Sequence, residues 1–165
     1  MRTLSSAVVA SLLLCAACAT DGSTAVPLNA AAALQDGSPV EPRIEAQVVL
    51  PVTLVADGQV HFEVRVTNRL NATVSSGACV DRVDAKPVTA RQWIDATPEG
   101  RSCTRQLVSF TPGVGTTLQA SADQAVLRAL VGGSGGRVLL RARHVVWQGD
   151  AVFVMQSAEQ EITVP

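Results

Sequence analysis

The chain has 165 residues, 13 basic against 14 acidic side chains, and a formal net charge of −1, so no excess of positive charge is available to hold a nucleic-acid polyanion. Apolar residues make up 47% of it and aromatics only 3%, with no tyrosine, which is less aromatic surface than carbohydrate- or peptide-binding faces usually display. Valine, alanine and leucine carry the apolar content, and the valines give the β-branched bias that strands favour.

The first nineteen residues read as an export leader. Met1-Arg2-Thr3 carries one positive charge, an apolar run extends from Ala7 to Leu14, and Cys15-Ala16-Ala17-Cys18-Ala19 follows. A charged start, a short apolar stretch and small residues at a cleavage point are the layout of a secretory signal peptide. The run is far shorter than the roughly 20 apolar residues a membrane-spanning helix needs. With Ala16 and Ala17 ahead of Cys18, the segment resembles a bacterial lipoprotein signal. That resemblance implies removal of residues 1–17 and acylation of Cys18, with Cys15 standing where the family usually has leucine. Several acyl chains on one cysteine anchor a protein firmly, whereas one binds marginally. The family's sorting rule, with Ala19 after the cysteine, favours the outer membrane of a two-membrane cell. Cleavage after Ala17-Cys18-Ala19 is the competing reading, and it leaves a secreted protein without a lipid.

From Thr20 to Pro42 the chain is rich in alanine, glycine, serine, aspartate and proline, with Asp21-Gly22-Ser23 and Asp36-Gly37-Ser38-Pro39 as turn signals. Such a segment reads as a flexible tether, residues 18–42, because it offers too little apolar surface to order itself. Ala30–Ala33 is too short for an independent helix.

From residue 43 onward short alternating runs predict one all-β domain. Ile44–Leu50 and Val52–Val55 lead to a turn at Asp57-Gly58. In Val60–Thr67 the residues Val60, Phe62, Val64 and Val66 alternate with His61, Glu63, Arg65 and Thr67, the period of a strand with one dry face and one wet face. Ala72–Ser75 is a weaker strand. Val80–Gly100 reads as irregular, broken by Lys86-Pro87 and Thr97-Pro98, although Arg91–Asp95 around Trp93 can pair. Leu107–Phe110, Thr116–Ala120, Ala125–Val131, Val138–Trp147, Val152–Met155 and Glu161–Val164 complete the series. Ser121–Leu130 is ambiguous, since Ala122, Ala125, Val126 and Ala129 also share a helical face; strand or mixed structure is expected there. Strands at intervals of about 8–12 residues predict a single antiparallel sandwich, residues 43–165. With Cys15 and Cys18 assigned to the leader, Cys79 and Cys103 remain, and an even pair in an exported chain predicts a disulfide.

The run Val60-His61-Phe62-Glu63-Val64-Arg65-Val66-Thr67-Asn68, with a second strand expected after Asn71, resembles a strand of the bacterial intracellular proteinase inhibitor domain, an immunoglobulin-like sandwich. Thr111-Pro112-Gly113 is similar to the turn that precedes a late strand in such domains. The resemblance implies an Ig-like fold. As an alternative function it implies inhibition of an extracytoplasmic protease through an exposed loop, for which Val80–Gly100 is the candidate.

Other motifs have plainer readings. Gly132-Gly133-Ser134-Gly135-Gly136 matches the pattern of a hydrolase nucleophile elbow, but that chemistry needs a strand-to-helix turn, and a flexible hairpin loop is expected instead. His61 and His144, the only histidines, lack ligand spacing. Arg137, Arg141 and Arg143 share one face of their strand, joined by Arg128 if Ala125–Val131 pairs beside it. They read as a solvated face, with an anionic lipid or wall polymer as the minor alternative. Asp81, Asp84, Asp95 and Glu99 surround the cysteine loop without the alternate spacing of a calcium loop. Asn71-Ala72-Thr73 is a formal glycosylation sequon of little weight in a bacterial chain. The expectation is a non-enzymatic envelope module with no catalytic residues, metal or cofactor, a membrane partner through its lipid, and a protein or wall polymer as further partner.

Overall fold

The computed structural model describes residues 34, 39–54, 58–100, 103 and 106–165. The leader, Cys18 and most of the expected tether lie outside the described residues. Among the described residues there are ten strands, most with alternating buried and exposed side chains: β1 (Ile44–Leu54), β2 (Gln59–Asn68), β3 (Val74–Gly77), β4 (Arg82–Pro87), β5 (Ile94–Asp95), β6 (Leu107–Phe110), β7 (Gly115–Asp123), β8 (Gly136–Gln148), β9 (Ala151–Gln156) and β10 (Gln160–Val164). Among the described residues one short helix, α1 (Gln124–Leu130), lies between β7 and β8.

The strands form two antiparallel sheets. One has the order β1-β2-β7; in the other β8 is central, with β4, β3, β9 and β10 all paired to it and β5 and β6 at the edges. β2 beside β7 in one sheet, and β3 and β9 flanking β8 in the other, is the B–E and C–F–G arrangement of an immunoglobulin-like sandwich. The inward face of β2 is the expected one: Val60, Phe62, Val64 and Val66 are buried. They meet Leu118, Ala120 and Ala122 of β7 on their own sheet, and Val83, Ala85, Val138, Leu140, Ala142 and Val146 from β4 and β8 in the same core. Burying the valines, leucines and Phe62 among these contributes on the order of 1.5–3 kcal/mol each.

Two expectations are corrected. Residues 125–131 are not a strand: β7 ends at Asp123, whose side chain accepts hydrogen bonds from the Ala125 and Val126 amides and caps α1. That cap satisfies amides a new helix leaves open, and Leu127 then points into the core. Nor is Val80–Gly100 irregular throughout. Arg82–Pro87 forms β4, pairing with β8 from Arg82↔Arg143 to Pro87↔Val138, and β5 pairs with its outer edge. The proline that seemed to break this stretch stands at the end of β4.

β8 organises its sheet by running past two broken strands. On one edge, Ser75 of β3 pairs with Trp147 and Arg82 of β4 pairs with Arg143. The outer chain advances from 75 to 82, seven positions, while β8 retreats from 147 to 143, four positions, so three extra residues bulge out around Cys79. On the other edge the pairs Arg143↔Gln156 and Leu140↔Gln160 leave a one-residue excess, 156 to 160 against 143 to 140, at the step from β9 to β10.

Candidate functional site

Each break in the strands beside β8 leaves a ladder amide that a side chain then satisfies. At the β3–β4 bulge the Val145 amide donates to Asp81 Oδ2 at 2.8 Å. The neighbouring His144 is buried, with Nδ1 2.7 Å from the same Asp81 oxygen and Nε2 3.1 Å from the Gly77 carbonyl. At the β9–β10 break, Ser157 Oγ accepts from the Ala142 amide at 2.8 Å, and its own amide donates to the Ala142 carbonyl. Buried backbone groups without such partners would cost on the order of 1–3 kcal/mol each. His144 and Asp81 are therefore parts of a folded bulge.

The bulge also ties the two sheets together. Cys79 is bonded to Cys103, with Cα atoms 6.0 Å apart, as the sequence predicts. Cys79 bridges Gln119 of β7, and the Val80 amide donates to the Gln119 carbonyl at 2.9 Å. The free edge of the three-stranded sheet is thus stitched to the larger sheet beside the disulfide.

The acidic residues expected around the cysteine loop go to different partners. Asp81 serves the bulge. Asp84, fully buried, accepts from Arg82 Nε at 2.6 Å and Arg141 Nε at 2.9 Å. Asp95 accepts from the Thr97 amide and lies 3.5 Å from Arg82. Among the described residues no group of three or more His, Cys, Asp or Glu side chains could hold a metal ion.

Trp93 closes this polar cluster. The Arg141 guanidinium carbon lies 4.2 Å from its ring centroid and Lys86 Nζ lies 4.4 Å away, two cation–π contacts on one indole. Lys86 also reaches Glu159 at 3.7 Å. The irregular segment expected to supply an exposed docking loop is therefore held down on either side of an exposed turn, by β4 before it and by Trp93 after it. Val88, Thr89, Arg91 and Gln92 face solvent in that turn.

The arginine face also comes apart. Arg137 is exposed and pairs with Glu161 at 2.8 Å, Arg141 lies against Asp84 and Trp93, and Arg143 is buried, donating to the Leu34 carbonyl at 2.8 Å. Arg128 belongs to α1 and not to a strand beside them. Alternation along β8 correctly predicted one face for the three, but not that other segments would lie on it.

Ser134 follows a helix and precedes a strand, the reverse of the order a nucleophile elbow needs. Its glycines have structural work: the Gly132 and Gly133 amides donate to Ala129 and Arg128 carbonyls with positive φ, closing the helix end. His61 lies in β2 of the other sheet, with Nδ1 2.9 Å from Ser121 Oγ. His144 lies eight residues beyond Gly136 on an extended strand, about 26 Å along it. Asn71 is exposed in the turn before β3.

Sequence reasoning passed over an open groove of about 360 Å³ on the outer face of the three-stranded sheet. Leu50 and Pro51, joined by a cis peptide bond, border it, and His61, Glu63 and Gln119 contribute its polar groups. The groove arises where β1 carries extra residues between Val49 and Thr53 relative to β2, a register shift that only pairing reveals.

No known family profile matches the chain, and no curated protein matches it. Among solved structures, a protein from Archaeoglobus fulgidus superposes with a TM-score of 0.45 at 12% identity, over 72% of this chain and 92% of the other. An ApaA protein from Bordetella pertussis gives 0.40 at 16% identity, over 77% and 98%. A β-glucosidase from Kluyveromyces marxianus gives 0.37 at 14% identity, covering 74% of this chain but only 14% of the enzyme. At these scores the likenesses say nothing about activity.

Proposed function

We propose that this is an exported, lipid-anchored cell-envelope protein whose Ig-like domain acts as a non-catalytic interaction or structural module. The observation that carries the reading is the Cys79–Cys103 disulfide, and the expected signal peptide of residues 1–17 ahead of Cys18 supports it. Disulfides persist in oxidising compartments outside the cytoplasm, and the leader supplies the route there. Among the described residues no helix is long and apolar enough to cross a membrane. In this reading the acyl chains on Cys18 provide the attachment. The partner is a protein or a wall polymer met at the envelope.

The test is intact mass and membrane fractionation of the protein from its native host, with and without Cys18→Ala. An acylated chain beginning at Cys18, released from the membrane by the substitution, is the expected result. A mature chain that begins at Thr20 and fractionates away from membranes overturns lipidation and leaves a secreted binder.

A second reading, inhibition of an extracytoplasmic protease, draws support from the exposed turn 88–92 held between β4 and Trp93. An inhibitor loop is an exposed segment whose ends are fixed, which lowers the entropy lost on docking. Stoichiometric loss of protease activity on titration supports this reading; full activity at excess protein across several protease classes overturns it.

A further inference from the structure

Alternate residues of β8 point away from the opposite sheet, yet over the C-terminal part of the strand this outer face is not open to solvent. Arg143 is 2% exposed, Val145 2% and Trp147 5%, and Val154 beside them on β9 is 3% exposed. An outer sheet face normally carries polar residues in water. Here, beside Arg143, it is apolar and buried.

The described chain shows what approaches it. Arg143 donates to the Leu34 carbonyl at 2.8 Å. Further along, Val40 bridges Val154, and the Glu41 amide donates to the Val154 carbonyl at 2.8 Å. Leu34 is the last residue of the most apolar stretch between Cys18 and β1, Val26-Pro27-Leu28-Asn29-Ala30-Ala31-Ala32-Ala33-Leu34. The indole nitrogen of Trp147 is buried without a hydrogen-bond partner, the condition expected under a cover of alkyl side chains.

We propose that residues 26–34 dock on the outer face of β8 and β9 and cover Val145 and Trp147, with the Arg143–Leu34 bond as their clasp. The segment is then part of the domain and not spacer. The docking does not depend on lipidation. Where Cys18 is acylated, however, it leaves eight residues of free chain, from 18 to 26, which reach at most about 28 Å when extended. A free tether up to Pro42 would have 24 residues and reach about three times as far.

Trp147 fluorescence tests the proposal. The chain from Thr20 to Pro165 is made with Trp93→Phe, so that Trp147 is its sole tryptophan. It is compared with the same chain carrying Leu28→Asp and with a chain lacking residues 20–33. The expected result is a red-shifted emission and a severalfold rise in acrylamide quenching in both variants, with cooperative urea unfolding retained. Unchanged quenching in either folded variant overturns the proposal. If the shortened chain does not fold, the Leu28→Asp chain decides. A synthetic peptide of residues 20–34 added to the folded shortened chain is expected to restore the shielding, and failure to do so at saturating peptide counts against docking.

Discussion

Asn68 shows how much one side chain can hold at the end of a strand. It is fully buried at the close of β2; its Nδ2 donates to the Ala72 and Phe110 carbonyls at 2.8 Å each, and its Oδ1 accepts from the Leu70 amide at 2.9 Å. It therefore shapes the turn into β3 and fastens it to β6. Asn68→Ala removes three hydrogen bonds and is expected to destabilise the domain by about 3 kcal/mol, read by urea denaturation. Asp84 makes a different case: with the carboxylate gone, Arg82 and Arg141 keep their charges at a largely covered site. Asp84→Ala is expected to cost about 3 kcal/mol or more, and a change below 1 kcal/mol would show that the arginines find water instead. At the domain's entry, the hydrogen bond from Arg43 holds the Glu41 carboxyl below the usual carboxylate range and raises Arg43 in turn. A lowered carboxylate stabilises the fold above its unfolded value, and that contribution disappears as pH falls through its folded value. Acidification below the ordinary carboxylate range is thus expected to lower the hydrogen-exchange protection of the Glu41 and Ile44 amides relative to their intrinsic rates at the same pH, since their bonds seat this segment.

At the scale of elements, the cap of α1 and its junction with β8 can be tested separately. Asp123 is the cap of α1 through two amides, and Asp123→Ala is expected to cost about 1 kcal/mol with loss of helical signal. Gly136 begins β8 where an added Cβ would lie 2.9 Å from Val131 Cβ. Gly136→Ala is therefore expected to destabilise by about 1–3 kcal/mol through overpacking at the helix–strand junction, measured as a fall in urea midpoint. The alternation of Val60 to Thr67 made β2 legible, because one dry face and one wet face impose a period of two that needs no knowledge of partners. α1 was not legible as a helix with the same ease. Ser121–Leu130 satisfies both periods in part, and the choice rests on where Asp123 turns its carboxylate. β4 was missed because Lys86-Pro87 reads as a breaker; the strand is defined by its pairing with β8, and Arg82, Asp84 and Lys86 are held on it by Arg141, Trp93 and each other.

Taken whole, the molecule is a sandwich whose larger sheet is built on one long strand, β8, with its edges repaired by Asp81 and Ser157 and its bulge bolted by the disulfide. Replacing Cys79 and Cys103 with serine is expected to lower stability by about 3 kcal/mol in the chain-entropy view, with the β-sheet signal kept below the transition. A loss much beyond that would mean that the bond also holds the bulge against Gln119. The amino-acid sequence by itself determined the all-β class, the inward face of β2 and the pairing of Cys79 with Cys103, because each follows from local periodicity or from counting. Only the tertiary structure decided the rest. It separated Arg137, Arg141 and Arg143 into an exposed ion pair, a ring contact and a buried side chain bonded to the Leu34 carbonyl, and it placed His144 in a bulge away from Ser134. These outcomes depend on which segments lie over β8 and on how many residues each neighbouring strand inserts. Register and coverage of that kind are set by the joint packing of distant parts of the chain, and no local pattern encodes them.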